Sequence, residues 1–321
     1  MNRRGALLGL AATPLAARFA PAQDWPTRPI RLVVPFAPGG GADNQARLIA
    51  EPLARILGQN IIVENRGGAG GTLTAQNVAT SPADGHTLFY GTPGQLTINP
   101  ILMRDLPYDP ERDFAPVSLI TRSAYAIAAH PSVPARSIAE LIALARARPG
   151  TLAYSSPGVG SGPHLAGELF RFTAGVDITH VPYRGSGPAL QDLVGGQVPL
   201  SIDSFSVLIP LLRANSVRGL AVTTNARMPL LPDLPTVAET LPGYEVTVFN
   251  FIAVRSGTPG ATVTRLSEAV AGAMRDPAVR QRNDGLGVES VGSTPEDCAR
   301  VLREEAIKWR AVIARANIRL E

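Results

Sequence analysis

The chain has 321 residues, 45% of them hydrophobic and 17% charged, which excludes a disordered protein and allows more than one hydrophobic core. The formal net charge is +4, but residues 1–22 hold three of the 30 basic side chains and no acid. The rest of the chain has 27 basic and 26 acidic side chains. This balance argues against a nucleic acid or an anionic membrane surface as the partner.

The N-terminal segment 1–22 has the features of an export signal. Arg3 and Arg4 precede the apolar stretch Leu7–Ala17, which is too short to cross a membrane as a helix. The small residues of Ala20–Ala22 fit a cleavage site. We therefore expect export to the periplasm and cleavage near Ala22.

Strands and helices alternate in the next part of the chain. The predicted order is strand, helix, strand, helix, strand, at Ile30–Val34, around the apolar positions Ile49, Leu53, Ile56 and Leu57, then at Ile61–Glu64, Thr72–Ala79 and Thr87–Tyr90. Pro52 lies inside the first of these helices and is expected to kink it. This order predicts a parallel sheet with helices on its faces.

The middle of the chain repeats the alternation. Ser137 and Glu140 have the spacing of a capping box before a helix, and Pro188 is expected at the first position of a later helix. The other predicted elements are a helix at His164–Phe172 and strands at Leu152–Ser155, Ile178–Pro182, Val198–Asp203 and Val217–Thr223.

The C-terminal part resumes the first unit. A long strand is predicted at Tyr244–Val254, and Thr258-Pro259 and Thr294–Glu296 are expected to open the last two helices. Cys298, the single cysteine, lies in the last of them and is expected to be buried. We predict a signal peptide at 1–22, a discontinuous lobe 1 at 23–122 and 225–321, and a lobe 2 at 123–224.

Glycine-rich loops link a strand to a helix four times, at residues 35–43, 91–97, 155–164 and 183–188. A helix N-terminus has free backbone N–H groups and partial positive charge, so it can bind an anion without lysine or arginine. In open α/β sheets such loops gather at the carboxyl ends of the strands. One such loop is more often only a turn, but four in two lobes indicate a ligand cleft that can close.

Enzyme and metal motifs are incomplete. Ser161 and Ser186 lack the glycines two residues away that a nucleophile elbow requires. Gly39–Gly41 with Glu64 suggests a dinucleotide site, but Asn44 stands where the last glycine belongs. The four histidines lack metal-ligand spacing. We expect no catalytic residue, cofactor or metal, with a dinucleotide-dependent enzyme as the less favoured alternative.

Short motifs along nearly the whole sequence give a resemblance to one family. They lie, in order, at Trp25–Ile30, Val34–Asp43, Val63–Arg66, Gly68–Gly71, Pro82–Leu88, Leu106–Pro110, Asp113-Phe114, His164–Phe170, Val181–Gly185, Gly195–Val198 and Leu234–Glu239. On these motifs the chain resembles the substrate-binding proteins of tripartite tricarboxylate transporters, the Bug family. Their joint order and spacing make the resemblance specific.

The resemblance implies a type II periplasmic binding-protein fold, with two α/β lobes joined by crossing strands and one ligand in the cleft. It implies a small carboxylate ligand and, as partners, the membrane permease subunits of the transporter. A sensor-type receptor for the same ligands is the alternative. We expect a monomer, because one cleft needs no second chain.

The resemblance also implies a set of ligand-binding residues. They are Phe36, Ala37, Pro38, Gly39, Gly40, Asp43, Thr92, Pro93, Gly94, Ser155, Ser156, Gly158, Gly160, Ser161, His164, Tyr183, Arg184, Gly185 and Asp203. Several have simpler interpretations: Asp43 as an acid at a helix N-terminus, His164 as a helix cap or packing residue, Arg184 as a surface charge and Asp203 as a strand-end cap. The family pattern is broken at Gly162-Pro163 and Ser204, where we expect the variable end of the ligand.

Overall fold

The computed structural model describes residues 25–316 and 318, so the predicted signal segment lies outside the described residues. The strands are β1 (Ile30–Val34), β2 (Ile61–Asn65), β3 (Thr87–Gly91), β4 (Phe114–Ala129), β5 (Ala153–Ser156), β6 (Thr179–Pro182), β7 (Leu200–Ser204), β8 (Arg218–Val222), β9 (Thr247–Arg255) and β10 (Glu289–Ser290).

The helices alternate with these strands. They are α1 (Gly41–Leu57), α2 (Thr72–Ala79), α3 (Asn99–Leu102), α4 (Ile138–Ala147), α5 (Gly162–Ala174), α6 (Ser186–Val194), α7 (Phe205–Arg213), α8 (Gly260–Met274), α9 (Pro277–Asp284) and α10 (Pro295–Ala316). A π-helical turn at Gly94–Ile98 precedes α3. None of the helices in the described residues is both long enough and apolar enough to span a membrane.

The strands follow the order β2-β1-β3-β9-β4-β7-β5-β6, with β8 and β10 also paired to β4. β1 is parallel to β2 and β3, and β5 is parallel to β6 and β7, which confirms the predicted parallel arrangement in both halves. The carboxyl ends of these parallel strands carry the loops that lead into α1, α5, α6 and α7.

β4 joins the two halves. Its first part, from Phe114 to Ala124, pairs antiparallel with β9. Its last part, from Tyr125 to Ala129, pairs antiparallel with β7, and Ala126 to Ala129 pair with β8 on the other side. The chain therefore crosses between the halves at residues 123–125, and the start of β9 runs beside this crossing.

Each half of the sheet has a hydrophobic core on both faces. In lobe 1, Ile49 and Leu53 of α1 pack with Val270 of α8 on one face, while Val78 and Leu302 belong to the core on the other face. The two cores of lobe 2 contain residues of α4 and α5 on one face and of α7 on the other. Cys298 is fully buried, as predicted.

The packing of residues 228–246 bears on the lobe boundary. Leu231 and Leu234 pack in one core of lobe 2, and Tyr244 and Val246 belong to the other. Trp309 of α10 also packs in a lobe 2 core. We propose that lobe 2 extends from residue 123 to about residue 246 and that the end of α10 rests on it.

Several predicted details of the elements are wrong. Pro188 is the third residue of α6, not the first, because Gly185 supplies the N-cap. Helix α9 was not expected between the last two helices. Glu140 accepts from the N–H of Arg136, not of Ser137, so the reciprocal capping box is incomplete. Ile56 is 48% exposed because it lies at the edge of the buried face of α1.

Candidate functional site

A cavity lies between the two lobes, and its floor is formed by the crossing strands. Its free volume is about 50 Å³. Thr121, Ser123, Tyr125, Val248 and Asn250 form the floor. The walls are formed by Phe36, Gly40, Gly41, Ala42, Gln45 and Thr92 from lobe 1, by Pro157, Ser161, Gly162, Pro163, Ser186, Asp203, Ser204 and Ser206 from lobe 2, and by Val288.

Four helix N-termini converge on this cavity. α1 starts after Gly40, α5 after Ser161, α6 after Gly185 and α7 after Ser204, and each has residues of its N-cap or first turn in the lining. The first-turn N–H groups have no partner within their own helix and carry partial positive charge. Among the residues that the structure describes, those that line the cavity include neither lysine nor arginine. An anion in this cavity would therefore be held by backbone N–H groups and hydroxyls.

Gln45 of lobe 1 and Asp203 of lobe 2 both line the cavity. Asp203 Oδ1 accepts hydrogen bonds from Ser186 Oγ at 3.0 Å and from the Ser204 N–H at 2.7 Å. Burial raises the pKa of Asp203 to about 7, although these two hydrogen bonds lower it. The Gln45 Nε2 atom donates to Asn283 Oδ1 at 2.8 Å. The remaining oxygen of each side chain, Asp203 Oδ2 and Gln45 Oε1, is buried without a partner among the described residues.

Asp43 supports the first glycine loop instead of lining the cavity. Its carboxylate accepts from the Gly39 N–H at 2.9 Å, from Asn65 Nδ2 at 2.9 Å and from Arg47 Nε at 3.1 Å. Asn65 Nδ2 also donates to the Phe36 carbonyl at 3.0 Å. Burial would raise the pKa of Asp43, but the hydrogen bonds from Arg47, Gly39 and Asn65 outweigh it and keep the pKa below its usual range.

Replacing Asp43 with alanine is expected to lower the free energy of unfolding by about 2–3 kcal/mol, because three donors lose their acceptor. Urea denaturation of the ligand-free protein measures this change. Glu51→Ala is the matched control, since Glu51 lies on the same helix, is 81% exposed and pairs only with Arg55. The control is expected to change stability by less than about 1 kcal/mol. Equal losses in both variants would contradict the supporting role of Asp43.

Two histidines hold the loop between β5 and α5. His164 Nδ1 accepts from the Gly160 N–H at 3.1 Å, which places its proton on Nε2 when the ring is neutral. The His164 and His180 rings stack with centroids 4.1 Å apart, and His180 Nε2 lies 2.7 Å from Ser156 Oγ. Burial lowers the pKa of His164 to about 4 and that of His180 to about 3. Both rings are therefore neutral at pH 7.

Acid is expected to destabilise the protein through this pair. Because both pKa values lie below the ordinary 6.5, the pair contributes stability that is present above pH 6.5. That stability is lost as the pH falls through about 4 and then 3, since the unfolded state binds the protons more readily.

Thermal melts between pH 7 and pH 3.5 test this pH dependence. His180→Gln is expected to flatten the loss of melting temperature at low pH, whereas His130→Gln, at a partly exposed site, is expected to leave it unchanged. If the melting temperature falls equally with pH in the wild type and in His180→Gln, the histidine pair is not the cause of the acid sensitivity.

Backbone atoms of the two lobes approach closely around the cavity. Gly70 of lobe 1 faces the carbonyl of Val159, and a Cβ atom built on it would overlap that oxygen. A Cβ atom built on Gly94 would lie 2.7 Å from the carbonyl oxygen of Gly160. On Gly40 it would lie 3.4 Å from Ser186 Oγ. The structure is thus a closed arrangement in which glycines let the lobes meet.

The predicted site residues fall into three groups. Five of them line the cavity: Phe36, Gly40, Thr92, Ser161 and Asp203. Five others line a groove of about 740 Å³ at the cavity mouth: Ala37, Pro38, Gly158, Tyr183 and Arg184. The remaining nine support the loops or the contact between lobes without lining the cavity: Gly39, Asp43, Pro93, Gly94, Ser155, Ser156, Gly160, His164 and Gly185.

Sequence reasoning missed the floor of the cavity and most first-turn residues. Gln45 was not singled out, although it lies one helical turn after Gly41 and therefore shares a face with it. Thr121, Ser123 and Tyr125 alternate along β4, so their side chains point to the same side of the strand. A strand prediction across residues 114–129 would have found these three positions.

Comparison with known proteins gives one consistent group of relatives. A family model described as "Tripartite tricarboxylate transporter family receptor" matches residues 45–318. A UPF0065 protein in the tcbD-tcbE intergenic region of Pseudomonas sp. (strain P51) is 38% identical over 317 residues, covering 98% of this chain and 94% of the relative. BugT of Bordetella pertussis (strain Tohama I) is 33% identical over 324 residues, covering 100% and 99%.

Solved structures of similar proteins come from the same group of binding proteins. R. palustris Rpa4515 with adipate is 42% identical with a TM-score of 0.89, covering 92% of this chain and 99% of that one. The periplasmic binding protein BugD is 32% identical with a TM-score of 0.89, covering 92% and 100%. MatC from Rhodopseudomonas palustris with bound malate is 36% identical with a TM-score of 0.87, covering 90% and 100%. The two-lobed fold expected from the sequence is therefore confirmed.

Proposed function

The chain belongs to the tripartite tricarboxylate transporter receptor family, and from that membership we propose that it captures a small carboxylate in the cleft between its lobes for uptake. The observation that carries the proposal is the convergence of four helix N-termini from both lobes on one cavity, whose lining has no basic side chain in the described part of the chain. Such N-termini favour an anion of limited size. The adipate and malate bound in two relatives support the same ligand class.

Closure couples binding to transport. Because the ligand touches α1 of lobe 1 and α5, α6 and α7 of lobe 2 only when the lobes meet, binding favours the closed state. The mouth groove, with Arg184 on its rim, draws residues from both lobes and exists as one surface only in that state. Permease subunits that contact this surface would receive loaded receptor in preference to empty receptor.

The proposal extends to the processing and assembly of the chain. The segment 1–22 is a signal that is cleaved near Ala22 during export to the periplasm. The receptor acts as a monomer, because one ligand held in the cleft between the two lobes needs no second chain. Light scattering on the mature protein, with and without ligand, measures its molar mass in solution and so tests the monomeric state. The intact mass of protein recovered from the periplasm tests the cleavage site.

A thermal-shift screen of the mature protein tests the ligand class. The screen uses mono-, di- and tricarboxylates, with sugars and nicotinamide dinucleotides as controls. A carboxylate at a hundred times its dissociation constant should stabilise the fold by about 2.7 kcal/mol, a rise in melting temperature of several degrees. Stabilisation by a dinucleotide and by none of the acids would overturn the receptor proposal.

A further inference from the structure

Two buried acceptor atoms in the cavity lack hydrogen-bond partners among the described residues. They are Gln45 Oε1, on the second turn of α1, and Asp203 Oδ2, at the end of β7. Gln45 is 3% exposed and Asp203 is 1% exposed, and both line the same small cavity. Buried polar atoms in native proteins nearly always have a partner. A ligand in this cavity is the natural source of one.

The other end of each side chain is already fixed. Gln45 Nε2 donates to Asn283 Oδ1, and Asn283 Nδ2 in turn donates to Ser290 Oγ at 2.8 Å. With the two amides in these orientations, Oε1 is the atom of Gln45 that is left without a partner. Asp203 Oδ1 is held by Ser186 and by the backbone of Ser204. Asp203 cannot turn away without breaking its two bonds, and in its ionised form it presents Oδ2 as an acceptor in the same cavity as Gln45 Oε1.

No basic side chain among the described lining residues compensates the charge of Asp203, so its carboxylate needs a donor from the ligand. The lining residues include neither lysine nor arginine, and the titratable group that faces Asp203 from the floor is the hydroxyl-bearing Tyr125 of β4. An ionised, buried carboxylate without a cationic partner is strongly unfavourable. A ligand that carries its own donor, and above all a cationic donor, removes that penalty.

Resting on the carboxylate capture proposed above, we propose that the ligand is a carboxylate that also carries a hydrogen-bond donor, an ammonium or a hydroxyl group, accepted by Gln45 and Asp203. The helix N-termini receive the carboxylate, and the two acceptors receive the donor. The site therefore distinguishes acids with the same carbon skeleton by whether the skeleton bears a donor. A plain dicarboxylate leaves both acceptors without a partner and binds less tightly.

Isothermal titration calorimetry with matched sets of acids tests the inference. The sets are propionate, lactate and alanine; succinate, malate and aspartate; and glutarate, 2-hydroxyglutarate and glutamate. In the set whose skeleton fits, the acid with a donor is expected to bind at least about tenfold more tightly than the plain acid. At pH 8, where Asp203 is mostly ionised, the acid with an ammonium group is expected to bind more tightly than the acid with a hydroxyl group.

The outcomes separate this inference from the function on which it rests. A plain acid that binds as tightly as its donor-bearing partners overturns the inference and leaves carboxylate capture intact. A plain dicarboxylate that takes up a proton on binding would show that Asp203 donates, which also overturns it. Failure of every acid in every set overturns both.

Variants link the discrimination to the two side chains. Gln45→Leu and Asp203→Asn are each expected to reduce the ratio of affinities between the donor-bearing and the plain acid by about tenfold or more. Asp177→Asn, at an exposed carboxylate outside the cavity, is the control and should leave the ratio unchanged. Melting temperatures verify that each variant is folded. An unchanged ratio in both folded cavity variants would overturn the assignment.

Discussion

Replacing Gly94 with alanine is expected to weaken carboxylate binding about 10- to 100-fold while leaving the ligand-free protein as stable as wild type. The added Cβ would lie 2.7 Å from the carbonyl oxygen of Gly160 in the opposite lobe, where backbone cannot yield easily. The φ angle of Gly94 is not positive, so alanine causes no local strain. The clash exists only when the lobes meet, and overpacking of this kind costs about 1–3 kcal/mol, the equivalent of that loss in affinity.

Gly187→Ala is the matched control for this variant. Gly187 also faces the opposite lobe, but a Cβ built on it would lie 3.8 Å from the Pro38 carbonyl oxygen, an ordinary contact. Calorimetry should therefore give it the wild-type affinity. An equal loss of affinity in both variants would contradict the idea that Gly94→Ala blocks closure of the lobes. A fall in the melting temperature of ligand-free Gly94→Ala would contradict it as well.

Replacing Asp203 with asparagine is expected to stabilise the ligand-free protein at pH 8 by about 1–3 kcal/mol while weakening the binding of donor-bearing carboxylates. Burial raises the pKa of Asp203 from 3.8 to about 7 in the folded protein. The stability that it contributes is therefore fully present below pH 3.8 and is lost as the pH rises through about 7. Asparagine does not titrate, so the variant becomes more stable than the wild type as the pH rises.

Urea denaturation at pH 5 and at pH 8 measures this difference. The gain of Asp203→Asn over wild type should be larger at pH 8 than at pH 5, and Asp177→Asn should show no such trend. A gain that does not depend on pH, or a loss at pH 8, would mean that Asp203 is not strained by burial in the ligand-free state.

The sequence predicted much of the fold because the relevant signals are local. The strand at Ile30–Val34 and the helix at Thr72–Ala79 have the predicted bounds, indicated by an apolar run for the strand and by the preceding glycine loop for the helix. The alternation of strands and helices was sufficient to predict the parallel strands in each half of the sheet. The glycine loops indicated where a cavity meets helix N-termini, since Gly40 and Ser161 line it; that a ligand binds there stays a prediction.

The rest depends on contacts between residues that are distant in the sequence. The family resemblance placed Asp43 in the site, whereas in the structure its carboxylate accepts hydrogen bonds from Asn65 and Arg47 and does not line the cavity. The resemblance also placed His164 in the site, whereas its ring stacks on His180 and its Nδ1 accepts from the Gly160 N–H in the loop between β5 and α5. Gln45 shares a helix face with Gly41, but its contact with Asn283, 238 positions later, could not be read from the sequence.

The crystal structure of the mature protein with the most tightly binding carboxylate tests the account most directly. We expect a ligand carboxylate to accept hydrogen bonds from backbone N–H groups at the start of α1 and at the start of at least one of α5, α6 and α7, with both lobes in contact with the ligand. A ligand held by Arg184 in the mouth groove, or bound to one lobe while the lobes stay apart, would contradict capture by closure between helix N-termini.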